Sequence, residues 1–260
     1  MRKQMLEILE KTYNNPILRE NTCPLFMTSP GVGKSSIIKE FAKNKKVKLA
    51  KITLSQRMPN EVISMLMPNT KTGKLEVFDS LEITSLNSGD ILFFDEIFNG
   101  TLKATLDAVL NFTEDRVTPS GKKIEGVMIV AASNPQGLIN ITPQIKERFI
   151  RYDLQFDELE FQSYLKYKYG MPENISKHLC TLIKKEKFEH NEWNYKTPRS
   201  IEKAINQIAV GMESPYDAEL LPFLKQTIKS PMGISLLNIK KDEEVEYLEL
   251  LKLIVQNNNK

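Results

Sequence analysis

An apolar segment, a loop with two glycines and an amphipathic helical stretch follow one another between residues 25 and 42. Glycines at positions 31 and 33 allow positive φ, so the loop backbone can curl and point successive N–H groups at one anion. A helix that begins near Lys34 adds its positively polarised N-terminus to the same point. This order of elements predicts a strand–loop–helix unit that holds phosphate groups. The expected phosphate contacts are Ser29, Pro30, Gly31, Val32, Gly33, Lys34, Ser35 and Ser36.

The end of this loop matches the phosphate-loop pattern G-x-x-x-x-G-K-[ST] at Gly33, Lys34 and Ser35, whereas Thr28 replaces the first glycine. In proteins with this pattern, the lysine reaches the β- and γ-phosphates and the final hydroxyl binds Mg²⁺. We therefore expect Lys34 to contact phosphate and Ser35 to be a metal ligand, with ATP and Mg²⁺ as the cofactors. GTP is disfavoured because the guanine-reading sequence Asn-Lys-x-Asp does not occur.

Apolar strand candidates alternate with amphipathic helices over residues 1–156, which predicts an α/β fold with a mostly parallel sheet covered on both faces. Two inserted segments, residues 68–79 and 117–127, contain turn residues and are typical of β-hairpins or long turns. The strand candidates are Leu25–Thr28, Lys48–Leu54, Ile91–Asp95, Val127–Ala132 and Ile150–Leu154.

The strand pattern stops near Asp157, and helical stretches separated by turns with proline and glycine follow it. This change predicts two domains. Residues 1–156 would form an α/β nucleotide-binding core, and residues 157–260 would form a small all-helical domain.

Two carboxylates, Asp95 and Glu96, directly follow the apolar residues 91–94. Unpaired charge at the end of a buried strand is costly, so these carboxylates need a positive partner. Mg²⁺ would supply it, with Asp95 holding the metal and Glu96 polarising the attacking water. The pair favours ATP hydrolysis over a small-molecule kinase or a simple switch. An ordinary strand followed by an acidic helix N-terminus is the alternative.

Asn134 follows the next apolar strand along the chain. In open α/β sheets, the carboxyl ends of the strands face the ligand. We expect the Asn134 amide to hydrogen-bond the γ-phosphate or the water held by Glu96. A turn in front of Pro135 is the competing explanation.

In this order, the motifs resemble those of the AAA+ ATPases and, within them, of the MoxR-like, dynein-related branch. The resemblance covers about residues 25–205 and adds two motifs. Glu147-Arg148-Phe149 resembles the element with the arginine finger, and Thr197-Pro198-Arg199-Ser200 resembles the sensor 2 element. The resemblance implies that Arg148 enters the neighbouring subunit's ATP site and that Arg199 reaches the γ-phosphate from a helical lid. A cis salt bridge for Arg148 and an exposed helix-start position for Arg199 are the alternatives.

The resemblance also implies a homo-oligomeric ring, most often a hexamer, because neighbouring subunits complete each site. MoxR-like ATPases commonly work with a von Willebrand factor A-domain partner, so the implied function is ATP-driven remodelling of a partner protein. Phe98-Asn99 stands where the branch usually has Asn-Arg, which leaves no second trans-acting arginine at this point. The predicted catalytic residues are Lys34, Glu96, Asn134, Arg148 and Arg199.

Composition and charge bear on the alternative functions and on the expected cellular location. The net charge of +3 is small, and basic residues do not alternate with aromatic ones, so a nucleic-acid motor or loader is a less favoured alternative. A nucleotide-gated scaffold with little turnover is another alternative, although Glu96, Asn134 and Arg148 argue against it. Two widely separated cysteines indicate a reducing compartment. No secretory signal and no stretch of about 20 apolar residues occurs, so we expect a cytoplasmic protein without a membrane segment.

Overall fold

The computed structural model describes residues 1–135, 142–169 and 197–209, together with residues 171, 173, 176, 177, 179, 180 and 183. The chain divides into two compact units, Met1–Phe156 and Asp157–Lys260. The role of the second unit as a lid stays a prediction. Across the described part of the chain, no helix is long and apolar enough to cross a membrane.

The first unit contains the elements that surround the phosphate loop. Its described strands are β1 (Pro24–Met27), β2 (Leu49–Thr53), β3 (Ser64–Pro68), β4 (Leu75–Asp79), β5 (Ile91–Asp95), β6 (Met128–Ser133) and β7 (Ile150–Asp153). Its described helices are α1 (Arg2–Asn14), α2 (Pro16–Asn21), α3 (Lys34–Lys45), α4 (Pro59–Val62), α5 (Leu81–Thr84), α6 (Lys103–Asp115) and α7 (Pro143–Arg148), and a 3₁₀ turn covers Leu54–Gln56.

Five strands form one parallel sheet in the order β2-β5-β6-β1-β7. The five predicted strands are confirmed, and each bound lies within one residue of its predicted position. Every residue of β1, β5 and β6 is buried, because parallel strands at the centre of such a sheet are covered on both faces. The fold is therefore the predicted α/β arrangement of a P-loop protein.

Two hydrophobic clusters cover the two faces of this sheet. On one face, Phe93 packs in a cluster with Met5 and Leu9 of α1 and Phe41 of α3. On the other face, its neighbours on β5, Leu92 and Phe94, pack with Val62 of α4 and with Leu106 and Val109 of α6. Successive side chains of a strand point to opposite faces, so one short apolar strand contributes to both clusters.

The two inserted segments differ from each other. Strands β3 and β4 pair as an antiparallel hairpin that begins at Ser64, before the start of the predicted segment. The segment from Val117 is a turn closed by a single bridge between Val117 and Lys123. Asp79 joins the two, because its carboxylate accepts hydrogen bonds from the hydroxyls of Thr118 and Ser120.

Helices α8 (Glu158–Tyr169) and α9 (Pro198–Ala209) are the described helices of the second unit. Glu202 of α9 accepts hydrogen bonds from the hydroxyl of Tyr164, the ammonium of Lys168 and the hydroxyl of Tyr169. These contacts join the two helices. Most of residues 170–196 and all of residues 210–260, which also belong to the predicted helical domain, lie outside the described residues.

Both cysteines are buried and free, as expected for packing residues. Burial raises the pKa of the Cys180 thiol to about 11 and moves the pKa of the Cys23 thiol in the same direction. A thiol with a raised pKa is a poor nucleophile at neutral pH. Neither cysteine therefore has the properties of a reactive thiol.

Arg116 is a buried cation at the end of α6. Its Nη1 donates to the carbonyl of Val127 at 2.5 Å and its Nη2 donates to the carbonyl of Arg19 at 3.1 Å. Burial lowers the pKa of the guanidinium, whereas Cys23 and Glu20 act in the opposite direction. The residue also has a φ of 53°, a left-handed conformation that is unfavourable outside glycine. Arg116 thus fixes the path of the chain from α6 to β6.

We expect Arg116→Ala to lower the free energy of unfolding by about 2 kcal/mol, because it leaves two carbonyl groups without their charged donor. Urea denaturation measures this change. Arg151→Ala is the control, since Arg151 lies on the surface in an ion pair with Asp153 and its loss should cost less than about 0.5 kcal/mol. Equal effects of the two substitutions would contradict the structural role of Arg116.

Candidate nucleotide-binding site

The phosphate loop, the acidic residues Asp95 and Glu96, and the amide residue Asn134 meet at one edge of the sheet. Strand β1 lies next to β6, with Met27 opposite Ser133, and β6 lies next to β5, with Ala131 opposite Phe94. Because all three strands are parallel, the loops that follow them emerge at the same edge. The residues after Met27, Phe94 and Ser133 are therefore brought together by the sheet.

The loop after β1 has the backbone that its glycines predict. Gly31 and Gly33 have φ values of 77° and 94°, in the region that glycine adopts without strain. A Cβ atom on Gly33 would meet nothing within 4 Å, so the glycine is needed for its conformation and not for space. Helix α3 starts at the next residue, Lys34, which places the helix N-terminus at the loop.

Thr28, which replaces the first glycine of the pattern, is buried. Among the described residues other than glycine, positive φ occurs at Lys46, Glu96 and Arg116, so position 28 does not require a left-handed backbone. The contribution of Thr28 to the site comes from its carbonyl oxygen, which any residue supplies. The substitution is therefore compatible with the loop.

Lys34 connects the loop to the end of β6. Its buried ammonium donates to the carbonyls of Thr28 at 2.8 Å and Ser29 at 3.3 Å, and to Oδ1 of Asn134 at 2.7 Å. The ammonium is thus held over the loop, where a phosphate bound by the loop N–H groups would also lie. The structure brings Lys34 and Asn134 into contact, and the predicted roles of both residues toward a ligand stay predictions.

Ser35 and Asp95 form the second connection. The Ser35 hydroxyl donates to Oδ2 of Asp95 at 2.8 Å, and the ammonium of Lys51 lies 2.7 Å from the same oxygen. A hydroxyl and a carboxylate are the hard oxygen ligands that Mg²⁺ prefers, and Mg²⁺ commonly takes one or two protein ligands and completes its shell with phosphates and water. In the described part of the chain, no group of three or more His, Cys, Asp or Glu offers a complete metal site. Ser35 and Asp95 therefore fit a metal that arrives with a nucleotide.

Glu96 has a left-handed backbone with a φ of 56°, which is unusual for a residue other than glycine. Its carboxylate accepts a 2.5 Å hydrogen bond from the Ser55 hydroxyl, and its carbonyl accepts from the Thr101 hydroxyl at 3.1 Å. The unfavourable backbone conformation is thus held by contacts on both sides. These contacts fix the direction of the Glu96 side chain at the end of β5.

Asn134 is positioned by Asn99. Oδ1 of Asn99 accepts hydrogen bonds from the Ser133 hydroxyl at 2.7 Å and from the Asn134 backbone N–H at 2.8 Å. The same Ser133 hydroxyl accepts from the Phe98 N–H at 3.2 Å. The segment after Glu96 is therefore tied to the end of β6, and Asn99 performs a local structural role at the position where the MoxR-like branch usually has arginine.

The two predicted arginines belong to different units, Arg148 to the first and Arg199 to the second. Arg148 ends α7 and forms a cis ion pair with Glu114, while its Nη1 donates to the carbonyl of Gln144 at 3.2 Å. Arg199 lies exposed at the start of α9 in the second unit. The cis pair is the arrangement that the sequence left open as an alternative for Arg148. The roles of both arginines in catalysis stay predictions.

Sequence reasoning missed three residues of the site: Lys51, Ser55 and Asn99. Lys51 lies on β2 and Ser55 just after it, and β2 pairs with β5 although residues 54–90 separate the two strands along the chain. The pairing places Thr53 opposite Asp95 and so brings this part of the chain to the acidic residues. Sheet order is a tertiary property, so no local pattern identified these contacts. Asn99 could have been identified from the sequence, because it stands where the MoxR-like branch usually has arginine.

Comparisons with known proteins agree with this geometry. Residues 25–149 match the family described as AAA domain (dynein-related subfamily). No curated protein matches the chain in sequence. Among solved structures, one mutant of Thermotoga maritima RuvB is 15% identical over 97% of this chain and 88% of its own, with a TM-score of 0.55. A second mutant of the same protein is 16% identical over 97% of this chain and 87% of its own, with a TM-score of 0.53.

At these identities the solved structures establish the fold alone. The family match covers the phosphate loop, Asp95, Glu96, Asn134 and Arg148. It supports the AAA+ part of the resemblance seen in the sequence, and the MoxR-like branch remains a proposal. On the family match and the five-stranded parallel sheet together, the first unit, Met1–Phe156, has the P-loop AAA+ fold.

Proposed function

We propose that this chain binds ATP with Mg²⁺ and hydrolyses it. One observation carries the proposal: the start of the helix after the phosphate loop is joined to the ends of β6 and β5 by Lys34–Asn134 and Ser35–Asp95 contacts of 2.7 and 2.8 Å. The phosphate-binding residues and the residues predicted to act on the γ-phosphate are thus one connected group. Asp95 at the strand end would supply a metal ligand, and the second carboxylate, Glu96, would polarise water, which favours hydrolysis over phosphate binding alone.

The loop and the helix N-terminus supply the binding of the phosphates. Backbone N–H groups around Gly31 and Gly33 and the ammonium of Lys34 would contact the β- and γ-phosphate oxygens. Ser35 and Asp95 would hold Mg²⁺, which, when bound, offsets negative charge on the phosphate oxygens. For Lys34, phosphate oxygens would replace the carbonyls that it contacts in the structure.

Glu96 and Asn134 supply the chemistry that follows binding. The Glu96 carboxylate would orient a water molecule and draw on its proton as that water attacks the γ-phosphate. The hydrogen bond from Ser55 occupies one acceptor position on Oε2, and the carboxylate has further positions with which it can hold the water. The Asn134 amide, fixed by Asn99, would donate to the γ-phosphate or to the same water.

We expect Glu96→Gln to lower the rate of ATP hydrolysis by about 10²–10⁴-fold and to leave ATP binding intact, because glutamine keeps the shape but cannot accept the proton. Steady-state phosphate release and equilibrium binding of ATP measure the two effects separately. Glu125→Gln is the control, since Glu125 forms an exposed ion pair with Lys123. Unchanged turnover in Glu96→Gln would exclude the hydrolytic role and favour a scaffold that binds ATP without turning it over.

We further propose that the chain assembles into a ring in which Arg148 acts on the ATP of the adjacent subunit. The AAA+ fold and the arginine at the end of α7 support this, and the trans role requires that the Arg148–Glu114 ion pair open. The Glu114 side chain is 56% exposed, so water can take the place of Arg148 as its partner when the pair opens. A hexameric ring would join six such sites through one repeated interface.

A mixing experiment tests the trans role of Arg148. Each variant alone should be inactive, because Arg148→Ala lacks the arginine and Glu96→Gln lacks the carboxylate. Each variant also keeps the residue that the other lacks. In mixed rings, some sites combine Glu96 of one subunit with Arg148 of its neighbour, and we expect ATP hydrolysis to reappear. If both variants assemble but the mixture stays as inactive as its components, Arg148 acts within its own subunit.

We propose that ATP hydrolysis remodels a partner protein, and a protein with a von Willebrand factor A domain is the candidate. The β3–β4 hairpin supports a contact with protein, because it exposes apolar side chains that monomeric proteins usually cover. These side chains are Leu66, Met67, Leu75, Val77 and Phe78. Stimulation of hydrolysis by DNA, falling steeply with salt, would instead favour the nucleic-acid motor.

A further inference from the structure

Lys51 lies at the metal-binding edge of the site without belonging to any motif of the sequence. Its Nζ is 2.7 Å from Oδ2 of Asp95, the same oxygen to which the Ser35 hydroxyl donates at 2.8 Å. The Asp95 side chain is 10% exposed and the Lys51 side chain 31% exposed. The pair is therefore largely shielded from water, where charges interact more strongly than on the surface.

The position of the Lys51 ammonium is set by the sheet. Lys51 pairs with Phe93 in the parallel ladder of β2 and β5, two residues before Thr53 pairs with Asp95. Its Nζ lies 5.9 Å from the centre of the Phe93 ring and 2.7 Å from Oδ2 of Asp95, so the ammonium contacts two residues of β5. A side chain held by a strand and a ring is better fixed than one on a loop.

The charge of Lys51 has two opposing consequences. A nearly buried carboxylate needs a compensating cation, and Lys51 supplies one to Asp95. Mg²⁺ needs oxygens of the same two residues, Ser35 and Asp95, and two cations that share one carboxylate repel each other. A metal that comes with a nucleotide brings additional negative charge in the phosphates, which reduces this repulsion.

We propose that Lys51 is a positioning residue that competes with Mg²⁺ for Asp95 and thereby weakens the binding of the metal. The inference rests on the proposed function, since it concerns the metal of the same nucleotide site. Lys51 keeps the Asp95 carboxylate oriented toward Ser35 and occupies the oxygen that the metal would need. It touches neither the reacting phosphate nor the attacking water in this role.

The affinity of a fluorescent nucleotide, mant-ADP, with saturating Mg²⁺ and with EDTA tests the inference without measuring hydrolysis. With Mg²⁺ the nucleotide enters as its metal complex, so the ratio of the dissociation constant in EDTA to that in Mg²⁺ gives the factor by which the accompanying metal strengthens nucleotide binding. We expect Lys51→Met to increase this factor about tenfold through tighter binding in Mg²⁺, because the competing cation is gone. Lys51→Gln provides a second neutral variant if Lys51→Met does not fold.

Three controls separate competition at Asp95 from a general loss of positive charge. Lys51→Arg retains a cation and should keep the wild-type ratio. Lys48→Met removes a lysine near the start of the same strand that contacts Ser85, and it should leave the ratio unchanged. In an Asp95→Asn background, Lys51→Met should no longer alter the ratio, because the shared carboxylate is absent.

Some outcomes would overturn the inference about Lys51 alone, and one would overturn the proposed function as well. An unchanged or smaller ratio in Lys51→Met, while the wild-type protein binds mant-ADP and responds to Mg²⁺, overturns the competition alone. A loss of mant-ADP affinity in EDTA with no gain in the ratio also overturns it and identifies Lys51 as a phosphate ligand. Failure of the wild-type protein to bind mant-ADP under either condition overturns the proposed function and the inference together.

Discussion

The contact of Lys34 with Asn134 depends on the parallel pairing of β1 with β6. The rest of the candidate site depends on this contact in turn. The ammonium meets Oδ1 of Asn134 at 2.7 Å because β1 and β6 are adjacent and end at the same edge. Burial of a charged group is tolerated only where polar atoms surround it, and the loop carbonyls and the amide provide them. Gly31 and Gly33 contribute through their positive φ, which lets the loop curl between β1 and the helix that begins at Lys34. A phosphate group would enter a place that is already polar and positively charged.

Contacts within the chain hold the charged groups of the candidate site and also Arg148, the predicted arginine finger. Ser55 holds the Glu96 carboxylate, Lys51 and Ser35 share one oxygen of Asp95, and Glu114 pairs with Arg148. Each acidic or basic group among these contacts thus has a partner from its own chain. Such partners limit the cost of keeping charges in a partly buried cleft, and they set which groups move when ligand arrives. Lys51 is the member of this group whose effect on the metal is directly measurable.

Much of the fold was predictable from the sequence because its strands are short apolar runs bounded by polar residues or turns. The clearest case is Ile91–Asp95, where the apolar run ends at a carboxylate and the observed strand has the predicted bounds. The phosphate loop was predictable because its glycines, lysine and serine act through local geometry. The contacts of Lys51 and Ser55 were not predictable, because they follow from the pairing of β2 with β5. The partner of Arg148 was likewise hidden, since Glu114 lies on a different helix, 34 positions earlier in the chain.

ATP affinity in variants of two lysines on α3 tests the central claim most directly. Lys34 is buried among the carbonyls of the loop, whereas Lys39 lies exposed on the same helix, so Lys39→Met is the matched control for Lys34→Met. The structure predicts that the wild-type chain and Lys39→Met bind ATP equally well. It also predicts that Lys34→Met loses about 100-fold or more in affinity, as expected when a buried charge pair with phosphate is lost. Equal ATP binding by Lys34→Met and the wild-type chain, or no binding by the wild-type chain, would contradict the assignment of the loop as the phosphate site.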